Sequence, residues 1–178
     1  MRTSFLMLVL FSLMETQAQI LQFHEGETWQ AGIHTDPGAM INDGGLFIGA
    51  EATLVMEGVY TGVSISSFDG LPAFYFDLAY HIGTSLTIAN TRDFRYYLGL
   101  QLGVVWREAD PNPMIGPEGG IDYYISRYFG VGIGLSYMWR SDAEFNTDDE
   151  YTFFGKLQNP DNYFRLNGTV KIFFNFDL

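Results

Sequence analysis

Apolar and polar residues alternate strictly in the stretch from Phe94 to Arg107. Every second residue from Phe94 to Trp106 is apolar or aromatic, whereas the residues between them are charged, polar or small, apart from Val105. A period of two is that of a β-strand, because successive side chains of a strand point to opposite faces. The stretch therefore predicts a strand with one apolar and one polar face.

The same alternation recurs along most of the chain and predicts eight strands. They are, in chain order, Thr28–His34, Gly45–Met56, Val59–Ser66, Phe74–Ile88, Phe94–Trp106, Met114–Ile125, Phe129–Trp139 and Phe164–Leu178. No helical period is found between them. Eight strands in succession with turns between them predict an all-β fold, an eight-stranded antiparallel up-and-down β-barrel.

The connections between the predicted strands alternate in length. The short ones are Glu57–Gly58, Ala89–Asp93 and Ser126–Arg127. The long ones are Thr35–Gly44, Ser67–Pro72, Glu108–Pro113 and Ser141–Asn162. In a meander this alternation places all the long connections at one end of the barrel.

The volume of the side chains decides which face of the barrel points inward. A soluble barrel such as a lipocalin turns its apolar face in, whereas an outer-membrane barrel turns it out to lipid. The interior of an eight-stranded barrel is just wide enough to be filled by side chains. Bulky residues at every inward position would not fit, but the glycine-rich polar face would. We therefore predict a transmembrane barrel with an apolar outer surface.

The length of the strands agrees with a membrane span. From Tyr96 to Trp106 the strand extends about 33 Å. Tilted by about 40°, it covers about 25 Å of the membrane normal, the height of the apolar band of such barrels. Tyr96 and Trp106 then lie at the two interfaces, and Phe129 and Trp139 bracket their strand in the same way. These residues predict two aromatic girdles.

The charged residues within the predicted strands, or directly after them, take the polar parity. A charge on the lipid face at mid-membrane costs about 2–4 kcal/mol, so their absence from the apolar parity is expected. The bases are Arg95, Arg107, Arg140, Arg165 and Lys171, and the acids are Glu51, Glu57, Asp77, Glu118 and Asp122. An unpaired charge in a narrow lumen costs several kcal/mol. We therefore predict a salt-bridged polar interior, with a narrow conducting channel as the alternative.

Composition and the N-terminus set further limits. The formal net charge of −12 argues against nucleic acid as a partner, and the absence of cysteine excludes thiolate metal sites. We expect no cofactor. Arg2, the apolar run Phe5–Met14 and the small residues Thr16 and Ala18 predict a secretory signal peptide over residues 1–18. The barrel domain would then occupy residues 19–178.

The last predicted strand supplies a family resemblance. Val170, Ile172, Phe174, Phe176 and Leu178 alternate to the final residue. This resembles the C-terminal strand that the barrel-assembly machinery reads in bacterial outer-membrane proteins, which usually ends in Phe. From Thr28 to Leu178 the chain resembles the small eight-stranded outer-membrane barrels, the group of the OmpA transmembrane domain and OmpX. The resemblance implies the bacterial outer membrane, reached by export through the periplasm, with outer-membrane lipid and the assembly machinery as partners.

Two arrangements of residues are candidates for a catalytic site. A histidine, acids and serines lie near the ends of the predicted strands: His34, Asp36, Ser66, Ser67 and Asp69. Some eight-stranded barrels modify lipid A with such residues at the outer rim. His81 and Ser85 share one face of a strand but lie two steps apart, which is loose for a nucleophile and its base. Because polar residues crowd every barrel rim, we expect no enzyme.

The connection Ser141–Asn162 is the candidate for a specific contact. It contains the acids Asp148, Asp149 and Glu150, which suit calcium or form a solvated acidic loop, and the aromatic residues Phe145, Tyr151, Phe153 and Phe154. Exposed aromatic clusters mark contact sites. The sequence thus predicts a non-enzymatic outer-membrane barrel with a structural, adhesive or complex-subunit role and other membrane or surface proteins as partners. The alternatives are a lipid A-modifying enzyme and a narrow channel.

Overall fold

Eight antiparallel strands close into a barrel. A computed structural model describes residues 21–23, 26–69, 75–88, 91–107, 110–140 and 164–177. Its elements are β1 (Leu21–Phe23), β2 (Glu27–Thr35), α1 (Pro37–Asp43), β3 (Phe47–Met56), β4 (Val59–Phe68), β5 (Tyr75–Ile88), β6 (Thr91–Arg107), β7 (Asp110–Ser126), β8 (Phe129–Arg140) and β9 (Phe164–Asp177). From β2 to β9 each strand pairs with the next, and β9 pairs with β2. The predicted eight-stranded up-and-down barrel is confirmed.

The two ends of the barrel differ in their connections. We call the end that holds the turns Glu57–Gly58 and Arg127–Tyr128 the turn end, and the opposite end, which holds α1, the loop end. Glu57 and Gly58 have φ values of 45° and 81°. Positive φ at both central residues matches the twist of the flanking strands in a two-residue hairpin. The second turn lies one residue later than predicted, because Ser126 already pairs with Phe129.

Two elements were absent from the sequence prediction. In the first long connection, Asp36 caps α1 by accepting a hydrogen bond from the Ala39 amide (3.1 Å), and Gly44 ends it at φ 74°. A helix of 7 residues is too short to show a helical period. Strand β1 pairs with the last residues of β5, beyond the end of β4. No helix among the described residues is long and apolar enough to cross a membrane.

The predicted long connection Glu108–Pro113 is wrong, because β7 already begins at Asp110. The stretch contains Pro111 and Pro113, and proline removes a hydrogen-bond donor from a sheet. Both pair with β6, but they lie beyond Met114, which is opposite the last residue of β8. Among the described residues, no strand pairs with β7 there on the side of β8, and proline is tolerated at such edge positions.

The barrel wall is apolar outside and polar inside. On β6, Leu98 and Leu100 are 70% and 47% exposed, whereas the neighbouring inward Arg95 is 1% exposed. Outward aromatic rings pair across strands near both ends, Phe94 with Tyr123 at the turn end (4.9 Å between ring centroids) and Phe76 with Trp106 at the loop end (5.5 Å). The parity expected from the sequence is the one that the structure shows.

Glycines on the inner face make room for large inward side chains. A Cβ atom at Gly120 or Gly134 would meet the hydroxyl of Tyr97, and one at Gly132 would meet Asp122 and Lys171. The wall therefore alternates glycine with bulky residues, as a narrow barrel requires.

Candidate functional site

The lumen is filled by three layers of side chains, the first of which closes the turn end. The Gln30 amide nitrogen donates to Tyr124 Oη and to Asn175 Oδ1, both at 3.1 Å. The Tyr124 ring packs edge-on against Phe173 at 5.5 Å between centroids. Gln30, Phe173 and the adjacent Val55 are all at most 2% exposed. This layer, which we call the turn-end layer, fills the barrel with a polar cluster backed by an aromatic ring.

The middle of the lumen is crossed by a network of ion pairs. Arg95 and Asp122 lie opposite each other in the β6–β7 ladder, and Arg95 Nε donates to Asp122 Oδ2 at 2.9 Å. Lys171 Nζ reaches from β9 to Asp122 Oδ1 (3.2 Å) and to Glu51 Oε1 of β3 (3.1 Å). The chain Arg95–Asp122–Lys171–Glu51, which we call the ion network, joins four strands. Each of these charges has the partner that a buried charge requires.

The loop-end layer is mainly apolar. It consists of the buried residues Phe68, Tyr75, Ala79, Val105, Met114 and Met138, with Ala39 of α1 and Phe47 packed against them. The Tyr75 hydroxyl donates to Asp77 Oδ2 at 2.7 Å, and the Arg140 guanidinium lies 5.2 Å from the Tyr75 ring centroid. Asp77 and Arg140 are thus held beside this layer and apart from the ion network.

A serine, a histidine and a glutamate lie in line between the ion network and the loop-end layer. Ser64 Oγ of β4 is 2.7 Å from His81 Nε2 of β5, and His81 Nδ1 is 2.7 Å from Glu118 Oε2 of β7. The Tyr60 hydroxyl donates to the other oxygen of Glu118 at 2.7 Å. Glu118 reaches its histidine across the lumen, because β6 separates β5 from β7 in the wall.

A second, looser set of the same residue types lies beside the first. Ser66 Oγ is 3.0 Å from His34 Nε2, but His34 Nδ1 is 3.7 Å from Glu51 Oε2. Among the described residues His34 Nδ1 has no hydrogen-bond partner, and Glu51 is bound by Lys171. The proximity of His34 and Ser66 agrees with the sequence. The acids proposed for it do not take part, since Asp36 caps α1 and Asp69 Oδ1 accepts from the Leu46 amide.

The remaining predicted site residues do not lie in the described lumen. Glu57 was expected in the lumen, but it lies exposed in the β3–β4 turn, because the strand ends at Met56 and the parity no longer applies. Arg107 and Arg165 lie at strand positions whose side chains are outside the described part of the structure. The aromatic contact candidates also lie outside the described residues, namely Phe145, Tyr151, Phe153 and Phe154.

The pairing of His81 with Ser64 was missed by the sequence reasoning. Spacing within one strand pointed to Ser85, which is buried on the same strand without a hydrogen-bond partner among the described residues. Ser64 belongs to the neighbouring strand and lies opposite Ala79 in the ladder. A prediction of the β4–β5 register from the short connection would have been needed to find it.

A cavity of about 120 Å³ lies in the lumen between the ion network and the loop-end layer. Its lining includes Ser64, His81, Glu118, Gln101 and, from the loop end, Met114. A volume of this size holds several water molecules or one small organic group. No group of three or more acids and histidines that could hold a metal is found among the described residues.

Comparison with known proteins gives a structural likeness alone. No protein-family model matches the chain, and no curated protein matches it. The crystal structure of Neisserial surface protein A (NspA) superposes with a TM-score of 0.51 at 9% sequence identity, over 90% of this chain and 97% of that one. At this identity the likeness shows the fold, so the chain shares a closed barrel with that surface protein.

Proposed function

We propose that this protein is an integral barrel of a bacterial outer membrane, with a structural or adhesive role carried by its loop end. The observation that supports the membrane assignment is the inside-out wall, with Leu98 70% exposed and Asp122 fully buried. A soluble protein would not leave so continuous an apolar belt in water. Outer-membrane lipid is the partner that such a belt requires.

The surface assignment rests on the fold likeness and on topology. NspA is by its name a surface protein, and an even number of barrel strands places both ends of the barrel chain on one side. The turn end, where β2 begins and β9 ends, would then face the periplasm, and the loop end would face outward. In this orientation the barrel-assembly machinery inserts the chain from the periplasmic side, and other surface or membrane proteins meet the loop end.

The filled lumen supports a scaffold rather than a channel. The turn-end layer, the ion network and the loop-end layer lie in series along the axis, and each is buried. An ion crossing the barrel would have to separate Arg95 from Asp122, which costs several kcal/mol in a poorly hydrated interior. We therefore propose that the barrel does not conduct.

The proposal is tested on the full chain in cells and in bilayers. An epitope tag inserted after Thr147, between β8 and β9, should be labelled on intact cells, and the tagged protein should fractionate with the outer membrane and stay heat-modifiable on gels. Purified protein in planar bilayers should show no discrete conductance steps. Labelling of the tag only after lysis would mean that the orientation is the reverse of the proposed one. Discrete conductance steps would mean that the protein is a channel rather than a scaffold.

A further inference from the structure

The set Ser64–His81–Glu118 has the connectivity of an activated serine. In the tautomer that carries hydrogen on Nδ1, His81 donates to the Glu118 carboxylate, and its Nε2 can accept the proton of Ser64. Both contacts measure 2.7 Å, within the range of strong hydrogen bonds. The three residues come from three strands, so the rigid wall of the barrel holds them in place.

We propose that Ser64 is a reactive nucleophile that takes an acyl group from small esters inside the barrel. His81 is the general base that contacts the reacting hydroxyl, and Glu118 is a positioning residue that acts through His81. This proposal goes beyond the scaffold role and does not depend on it. It replaces the expectation, drawn from the sequence, that the protein is not an enzyme.

The cavity beside the set defines the class of substrate. Ser64, His81 and Glu118 all line it, and its volume of about 120 Å³ is slightly below that of a cavity that holds benzene. An acetyl or similarly short acyl group fits this space, and a fatty acyl chain does not. The lining on the loop-end side includes the flexible side chains of Met114 and Met138, which rearrange more easily than branched residues.

The cavity lining also includes hydrogen-bond donors that can stabilise the negative charge of a tetrahedral intermediate. Gln101 lies opposite His81 in the β5–β6 ladder and lines the cavity, as does Lys171. Donors placed where an oxyanion develops are a main source of catalysis in acyl transfer. The backbone amides of the wall are engaged in the strand ladders, and Lys171 is bound by Asp122 and Glu51. We therefore expect the side chain of Gln101 to supply the stabilisation. Acylation should then be slow compared with a hydrolase that has a backbone oxyanion hole.

The reaction balances with water as the only co-reactant. Ser64 Oγ bonds to the carbonyl carbon of the ester while its proton passes to His81 Nε2. The tetrahedral adduct then breaks its bond to the leaving oxygen, which takes that proton and departs as an alcohol, leaving acyl-Ser64. Water attacks the acyl carbon with His81 again accepting the proton, and release of the acid returns the proton to Ser64.

The neighbouring set provides a comparison within the same molecule. Ser66 and Ser64 are both 5% exposed on one face of β4, and each faces a histidine Nε2. The two sets differ in how closely the carboxylate approaches the histidine. His34 Nδ1 is 3.7 Å from Glu51, whereas His81 Nδ1 is 2.7 Å from Glu118. A carboxylate that does not hold the ring leaves the base poorly oriented. The proposal therefore predicts that Ser64 reacts and Ser66 does not.

The test uses full-length protein folded in detergent micelles and methyl acetate as the probe, an ester that is smaller than benzene and fits the cavity. Acetylated serines are mapped by mass spectrometry after an acid quench at successive times. An acetyl group should appear on Ser64, be absent from Ser66 and be absent from both in heat-unfolded protein. Equal marking of the two serines, or no mark on Ser64 in folded protein, overturns the proposal without any variant.

Variants then separate chemistry from structure, with heat-modifiability checked for each. Ser64→Ala should abolish the mark, and His81→Gln should lower the acetylation rate by about 100-fold or more. Glu118→Gln should also lower it, because the ring is then held in the wrong tautomer, and Glu118→Asp, which keeps the carboxylate, should restore part of the loss. Ser85→Ala, at a buried lumen position outside this cavity, should leave the rate unchanged. A folded His81→Gln protein that reacts at the wild-type rate overturns the role of His81.

Discussion

Asp122 lies directly opposite Arg95 in the β6–β7 ladder, and both side chains are almost completely buried, at 0% and 1% exposure. The other carboxylate oxygen of Asp122, Oδ1, forms an ion pair with Lys171 Nζ at 3.2 Å. One carboxylate thus neutralises cations from two strands that are not neighbours, β6 and β9. The pairing of both buried cations therefore depends on one residue.

Asp122→Asn should therefore destabilise the barrel strongly. The change leaves Arg95 buried without a counter-charge, and breaking a buried pair costs about 3–5 kcal/mol. The free energy of unfolding is measured by urea titration in detergent micelles with tryptophan fluorescence. Glu57→Gln, which removes an acid from the exposed β3–β4 turn, is the control and should change stability little. A loss below about 1 kcal/mol for Asp122→Asn would contradict the role given to the ion network.

Gly134→Ala should destabilise the barrel because its Cβ would collide with the Tyr97 hydroxyl. Tyr97→Phe should reverse most of this loss. A Cβ at Gly134 meets first the hydroxyl of Tyr97, and the next atom lies at 3.6 Å. Overpacking of this kind costs about 1–3 kcal/mol. Because Tyr97→Phe removes the hydroxyl, the double variant should regain most of the lost stability in the same urea titration. Additive losses in the double variant would show that the crowding lies elsewhere.

Phe173→Ala and Phe174→Ala test the facing of the last strand with adjacent residues of one type. Phe173 is fully buried against Tyr124, whereas Phe174 is 53% exposed on the outer surface. Truncation of a buried phenylalanine costs about 3–5 kcal/mol, and truncation on the outer surface should cost clearly less. Free energies of unfolding in liposomes check the order. The reverse order would place the wrong face of β9 inside.

Leu100→Arg should impair insertion far more than Gln101→Arg. Leu100 is 47% exposed on the outer wall, and arginine at mid-membrane on that face costs about 2–4 kcal/mol. Gln101 lines the lumen cavity, where an added cation meets Glu118. The yield of heat-modifiable protein after folding into liposomes is the measurement. Equal impairment by both changes would mean that the outer wall does not face lipid.

The alternation of residues was enough to predict the barrel because each side chain on a strand faces either the outer surface or the lumen. The same argument located Asp77, Arg95, Glu118, Asp122, Arg140 and Lys171 on the inner face. It failed at Glu57, which lies in a turn, and at Pro111 and Pro113, which belong to β7 rather than to a connection. It also missed the pair Ser64–His81, since contacts across strands depend on register, which parity leaves open.

The pairing of β2 with β9 sets the order in which the barrel can assemble. Trp29 is opposite Phe176 in that ladder, so the seam joins segments separated by nearly the whole described chain. Contacts of such long sequence separation are slow to form. Until the seam closes, β2 and β9 both present unpaired N–H and C=O groups, which in a nascent chain are templates for aggregation. A carrier that shields these two edges during transit would protect the chain better than one that covers its apolar belt alone.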